Sequence, residues 1–226
     1  LAPVGALADM YGRRKFFSAG LSVFTIASIL AALAPNGAAL IVCRGLQGVG
    51  AGMFVSTGMA ILTSVYPPER RGRVLGMYVA AVYIGLSAGP FAGGLITAHL
   101  GWRSIFLLML PLGIVCIVLT RLHLKDEWAG SAKGPFDLAG AALYAIAISS
   151  LVYGASIITS MVGAGLVLFG VLCTVFFFRH QYRSAHPMLD VRLFIGNHTF
   201  TFSSLAALLN YSSTFAVTFL MSLYLQ

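Results

Sequence analysis

The alternation of apolar and polar positions divides the chain into long apolar runs joined by short polar links. Seven such runs fall at roughly 16–34, 38–65, 74–100, 104–120, 138–158, 161–178 and 199–225, and residues 1–8 read as the tail of a further helix. Most are near or above the ~20 residues an α-helix needs to cross a bilayer. The run at 161–178 is at the short end, and a single charge, Arg44, interrupts the one at 38–65. Lipid offers the backbone no hydrogen-bond partner, so each run must satisfy its own N–H and C=O groups and is expected to be helical. The pattern predicts an all-α, polytopic membrane helix bundle. Links such as Pro35-Asn36-Gly37 are made of turn residues and leave no room for a domain.

Composition strengthens this reading, since 59% of residues are hydrophobic and only 9% charged, where soluble domains carry about a quarter charged residues. The formal net charge of +8 would suggest nucleic acid in a soluble protein. Here twelve of the fourteen basic residues sit in four alternate links, at 9–15, 66–73, 121–137 and 179–198, while the intervening ones hold only Arg103. The positive-inside rule accounts for that distribution and places the four basic links in the cytoplasm. No nucleic-acid partner is called for. Cys43, Cys116 and Cys173 stand singly in apolar runs, without metal-ligand spacing, and read as small buried apolar residues. The polar segments, 121–137 among them, are too short for an extramembrane enzyme, and no nucleophile–base, phosphate-loop or metal constellation appears. An enzyme is not expected, nor is a metal or an organic cofactor. The chain starts Leu1-Ala2-Pro3-Val4 and stops at Gln226 inside an apolar run, so it reads as a piece of a longer protein.

Three stretches carry candidate chemistry. Gly85, Gly89 and Gly93, with Gly94 beside the last, recur every four residues within a charge-free run. On a helix they form a nearly bare stripe suited to close backbone approach in lipid. Pro90 lacks an N–H, which predicts a bend there. The stripe is either a plain packing face or one that meets a moving partner. Arg44, followed by Gln47 and Gly48, lies inside a span. A charge there costs about 2.5–3.5 kcal/mol on insertion scales, so it either faces a cavity or partner or snorkels to the outer surface. Gln47 is one turn on and within reach of it, and Gly48 with Gly52 makes a second small-residue face. The link Gly5-Ala6-Leu7-Ala8-Asp9-Met10-Tyr11-Gly12-Arg13-Arg14-Lys15 sets a carboxylate where a helix leaves the membrane. Asp9 pairs with Arg13, or meets a neighbouring helix N-terminus, or is simply solvated. Met77, Tyr78, Tyr83 and Phe91, and Asn210 and Tyr211 in the last run, either line an apolar aromatic pocket or pack plainly.

In this order the three stretches resemble the signatures of the major facilitator superfamily. Gly5-x-x-x-Asp9-x-x-Gly12-Arg13-Arg14 resembles its loop motif, Arg44-x-x-Gln47-Gly48 its next motif, and Gly85-x-x-x-Gly89-Pro90-x-x-Gly93-Gly94 the motif of its antiporters. Met10 departs from the basic residue usual in the loop motif. Gly134-Pro135-Phe136-Asp137-Leu138-Ala139-Gly140 before two closely spaced runs, and His186-Pro187-Met188-Leu189-Asp190-Val191-Arg192-Leu193-Phe194 before the last, are similar to the fourteen-helix drug:proton antiporter family. The resemblance implies an N-terminal helix bundle over 1–120 lacking its first helix, and a cytoplasmic loop at 121–137. It further implies two inserted helices at 138–178, a second loop at 179–198 and the first helix of the C-terminal bundle at 199–226. It implies secondary transport by alternating access in the plasma membrane, exporting a lipophilic or amphipathic small molecule with the proton gradient as the driving force. In its terms the Asp9–Arg14 motif is a conformational switch, Arg44 handles protons, the complete protein is a monomer, and the lipid bilayer is its surround. All six acidic residues lie in links, and the resemblance implies a coupling carboxylate in the absent first helix. A dedicated exporter of one metabolite, an importer, or a non-transporting scaffold or receptor of the same fold are the alternatives.

Overall fold

The computed structural model describes residues 2–124, 126–127 and 136–224, without the side chains of 195, 215, 218, 219 and 221–224. Leu1, Lys125, Lys133, Gly134, Pro135, Leu225 and Gln226, all used in the sequence reading, lie outside the described residues. Among the described residues the chain forms α1 (Ala2–Tyr11), α2 (Arg13–Ala32), α3 (Gly37–Val65), α4 (Pro68–Leu100) and α5 (Arg103–His123). Then follow α6 (Leu138–Ser156), α7 (Met161–Arg183), α8 (Arg192–Gly196) and α9 (His198–Tyr224). α2 to α7 are each long and apolar enough to cross a membrane, and this all-helical architecture is that of a multi-pass membrane protein.

The helices outrun the apolar stretches that announce them. The basic residues Arg70, Arg71 and Arg73, expected in a link over 66–73, occupy the first turns of α4. Pro68 starts that helix because its ring presets φ and its missing N–H is one that a first turn leaves unpaired anyway. Likewise the 9–15 link shrinks to Gly12 alone, between α1 and α2. Its φ of +113° is a conformation that side-chain-bearing residues avoid. At 179–198, α7 continues to Arg183 and α8 fills part of the remainder. Elsewhere capping sets the boundary. The Asn36 side chain accepts from Ala39 N–H (2.8 Å), Asp137 from Gly140 N–H (2.8 Å) and Ser160 from Gly163 N–H (2.9 Å).

The chain divides into two compact units, with the described residues up to Glu127 in one and those from Phe136 in the other. In the first, α2 packs against α3 and α5, and α1 leans on α3. The α2–α3 crossing lies at Gly20 and Gly50. A Cβ on Gly50 would stand 2.6 Å from the Phe24 backbone nitrogen, and one on Gly20 would stand 2.8 Å from the Gly50 carbonyl. Phe54 stacks edge-on against Phe24 with centroids 5.5 Å apart, filling the space beside the bare crossing. Gly48 and Gly52, expected to form the small-residue face of this helix, have open space where a Cβ would be. They point to the other side of α3 from Gly50. In the second unit α6 and α7 form an antiparallel hairpin, tightened where Gly154 meets the Val167 backbone and Gly170 meets Leu151.

α4 differs from its neighbours. It runs unbroken through Pro90 and buries none of its residues. Of the three cysteines only Cys173 is buried; Cys43 is half-buried and Cys116 exposed. The expectation that all three sit inside fails because α3 and α5 turn apolar side chains outward, as lipid permits.

Candidate functional site

The Arg44 site is built on the α2–α3 crossing. Once Gly20 and Gly50 bring the backbones together, residues a turn or two further along face each other across a narrow gap. Gln47, 5% exposed, donates from Nε2 to the Ser28 hydroxyl (2.7 Å), which in turn donates to the Phe24 carbonyl (2.7 Å). Arg44 donates from Nη1 to Gln47 Oε1 at 2.8 Å. Its guanidinium also lies over the Phe106 ring of α5, 5.6 Å from the centroid. The array runs one way, from cation to amide to hydroxyl to carbonyl, and every buried polar atom in it is paired. It opens on a cavity of about 340 Å³ lined by Phe24, Leu40, Arg44, Gln47, Ile105, Phe106 and Met109. A guanidinium is a permanent cation with five donors, and glutamine does not titrate. The chemistry on offer is therefore a fixed positive charge, held by two neighbours and presented to an apolar, aromatic cavity within a span.

A second polar cluster closes the opposite end of α3. Arg13 Nε donates to Asp9 Oδ1 at 2.6 Å, and its Nη1 reaches Ser64 Oγ (2.7 Å) and the Ala60 carbonyl (3.3 Å). One guanidinium thus ties α1, α2 and α3 together. Gly5 faces α3, where a Cβ would stand in ordinary contact with Ser56, 3.9 Å away. Glu127, one of the acidic residues of the links, accepts from the backbone N–H groups of Arg14 (3.0 Å) and Lys15 (3.4 Å). It caps the start of α2 across 113 residues of chain. A side chain on Gly12 would run into its carboxylate, so Gly12 serves both the turn and the cap. Neither Ser28 nor Glu127 carries a sequence signal, because each acquires its partner only through the packing of distant segments.

The remaining sequence candidates are not gathered into a site. Gly85, Gly89, Gly93 and Gly94 have no atom within 4 Å of where a Cβ would stand, so the stripe is bare and without a partner among the described residues. Met77 and Phe91 are exposed and Tyr78 and Tyr83 half-buried on α4. Asn210 and Tyr211 are exposed on α9 in the other unit. None of the six lines the cavity beside Arg44.

The second unit has its own polar knot. Asp137 Oδ2 accepts from Gln181 Nε2 (2.7 Å), and Oδ1 accepts from Gly140 N–H and lies 2.9 Å from His180 Nε2. Gln181, 1% exposed, passes the link on by accepting from Leu189 N–H at 3.1 Å. Burial acts to raise the Asp137 carboxyl, but the Gly140 N–H, His180 and Gln181 outweigh it and hold the group below its ordinary value.

Fold and site together define a multi-pass helical membrane protein with a fixed charge set inside a span. The whole chain, residues 1–226, matches the family model of the Major Facilitator Superfamily, and it belongs to that superfamily. It is 37% identical over 195 residues to the multidrug resistance protein Stp of Mycobacterium tuberculosis (strain CDC 1551 / Oshkosh), covering 83% of this chain and 36% of that protein. It is 33% identical over 198 residues to the drug efflux pump JefA of the same strain, covering 83% and 38%. It is 29% identical over 225 residues to the riboflavin transporter RibZ of Clostridioides difficile (strain 630), covering 98% and 48%. The chain thus spans between about a third and a half of the length of these relatives.

Proposed function

We propose that this chain is the N-terminal portion of a fourteen-helix exporter that moves lipophilic or amphipathic small molecules out of the cell by proton-coupled alternating access. The observation that carries the reading is Arg44, a permanent cation fixed by Gln47 and Phe106 at the edge of an apolar cavity. Such a charge attracts a carboxylate in its ionised form and weakens that hold when the carboxylate takes up a proton. An acidic residue in the first helix of the full-length protein completes the couple. The basic links face the cytoplasm of a plasma-membrane protein. There the Asp9–Arg13–Ser64 cluster acts as a clasp that holds one access state, and the bare stripe of α4 packs against the C-terminal helices. Relatives named for multidrug resistance and drug efflux support the substrate class.

The test is dye and drug accumulation in an efflux-deficient cell expressing the full-length protein, with and without a protonophore. Export abolished by the protonophore and by Arg44→Ala supports the reading. Full export in Arg44→Ala and Arg44→Lys, at normal expression, returns Arg44 to a snorkelling surface charge. A second reading, a dedicated transporter of one metabolite, is favoured by the riboflavin transporter relative, which aligns with 98% of the chain. Transport of riboflavin with no dye export selects it.

A further inference from the structure

The α6–α7 hairpin carries a basic pocket that the transport reading does not use. At the end where α6 begins and α7 finishes, Leu143, Phe176, Arg179, His180 and Arg183 line a cavity of about 370 Å³. Phe176, Arg179, His180 and Arg183 are spaced i, i+3, i+4 and i+7, so they share one face of α7. The charge boundary falls within the cavity itself. The apolar run of α7 ends at Phe178 and its first cation is Arg179, so Leu143 and Phe176 form an apolar wall and the two arginines a cationic rim.

We propose that this pocket binds one anionic phospholipid, its phosphate between Arg179 and Arg183 and an acyl chain along Leu143 and Phe176. Neither arginine has a hydrogen bond or an ion pair among the described residues. Arg13 is paired with Asp9, and Arg103 and Arg192 each hydrogen-bond a carbonyl. Two like charges four residues apart repel each other on a helix, and an anion between them removes that cost. His180 adds a third polar group whose ring is held from behind, since Nε2 faces the nearly buried Asp137 carboxylate at 2.9 Å. That leaves Nδ1 as the imidazole atom available to a ligand. The C-terminus of a helix repels anions, so binding depends on the arginines, while the apolar wall selects a lipid over a soluble phosphate. Charged pockets between membrane helices on the basic side are the usual seats of such headgroups.

Native mass spectrometry of the full-length protein with phosphatidylglycerol and phosphatidylcholine tests the site. A phosphatidylglycerol adduct that survives where phosphatidylcholine is lost is expected. It should fall about tenfold or more in Arg179→Gln/Arg183→Gln, return in Arg179→Lys/Arg183→Lys, and weaken in Phe176→Ala. Arg70→Gln/Arg73→Gln, which removes the same charge from α4, should leave it unchanged. Melting in zwitterionic detergent without added lipid confirms that each variant is folded. Equal retention of the two lipids, or an equal loss in the α4 variant, overturns the proposal. Displacement of the lipid by millimolar inorganic phosphate assigns the pocket to a soluble anion and overturns the lipid source. An unchanged adduct in the Arg→Gln pair means another segment fills the pocket, and that also overturns it.

Discussion

The α2–α3 crossing and the stripe of α4 are both built on glycine, and they behave in opposite ways. At the crossing one glycine from each helix meets the backbone of the other, with less than 3 Å to spare for a Cβ. On α4, Gly85, Gly89 and Gly93 in regular spacing, with Gly94 beside the last, meet nothing among the described residues. Regular spacing therefore marks a face that is smooth, whereas burial marks a face that is used for packing within this chain. The crossing has a local task, to hold α2 and α3 close enough for Gln47 to reach Ser28. The stripe has none in the first unit, and its smoothness is available to a partner helix.

The comparison can be broken at several points. The largest effect is expected at the crossing, where Gly50→Leu drives a side chain into the α2 backbone. Overpacking costs about 1–3 kcal/mol even where side chains can yield, and backbone yields less. Thermal unfolding of the 226-residue chain in detergent should show that loss, while Gly89→Leu stays within about 0.5 kcal/mol of the parent. Equal destabilisation by the two would erase the distinction. In the full-length protein Gly89→Leu should instead lower export, on the order of tenfold.

Next in size is Arg13→Ala, which removes three interactions at once and is expected to cost about 1–2 kcal/mol by the same melting assay. Asp9→Ala removes only the partly exposed ion pair and should cost under about 1 kcal/mol. An equal cost for the two would mean that the Ser64 and Ala60 contacts contribute nothing. Glu127→Ala takes the cap from α2 at a cost of roughly 0.5–1 kcal/mol, diminished in high salt because the carboxylate is exposed.

In the second unit the sign of a pH effect follows from Asp137. Its folded-state value lies below the ordinary 3.8, so its contribution to stability is complete above that value and is lost as pH falls through the lower one. The melting temperature should drop on acidification in that window, and the part due to Asp137 should vanish in Asp137→Asn. An identical acid profile for the variant would remove the Asp137–His180–Gln181 knot from the account.

Much of this was legible in the sequence. Each of the seven apolar runs lies largely within one helix, and the pairs Asp9–Arg13 and Arg44–Gln47 are local, separated by four and three residues. What sequence withheld has two physical causes. Hydropathy marks where a helix leaves lipid, whereas capping marks where it ends, so Arg70, Arg71 and Arg73 sit in a helix and not in a link. Contacts between helices depend on rotation about the helix axis, which apolar residues all round a span leave undetermined. Gly50 in place of Gly48 and Gly52, and the Ser28 partner of Gln47, follow from that rotation.

The central claim is that Arg44 couples export to the proton gradient. It is tested most directly by the full-length protein in proteoliposomes with an imposed pH difference, following movement of a lipophilic dye. The account predicts transport that collapses with the gradient and is lost in Arg44→Ala, while the folded fraction stays at the parent level. Transport that persists without the gradient, or at the parent rate in Arg44→Ala, would contradict it.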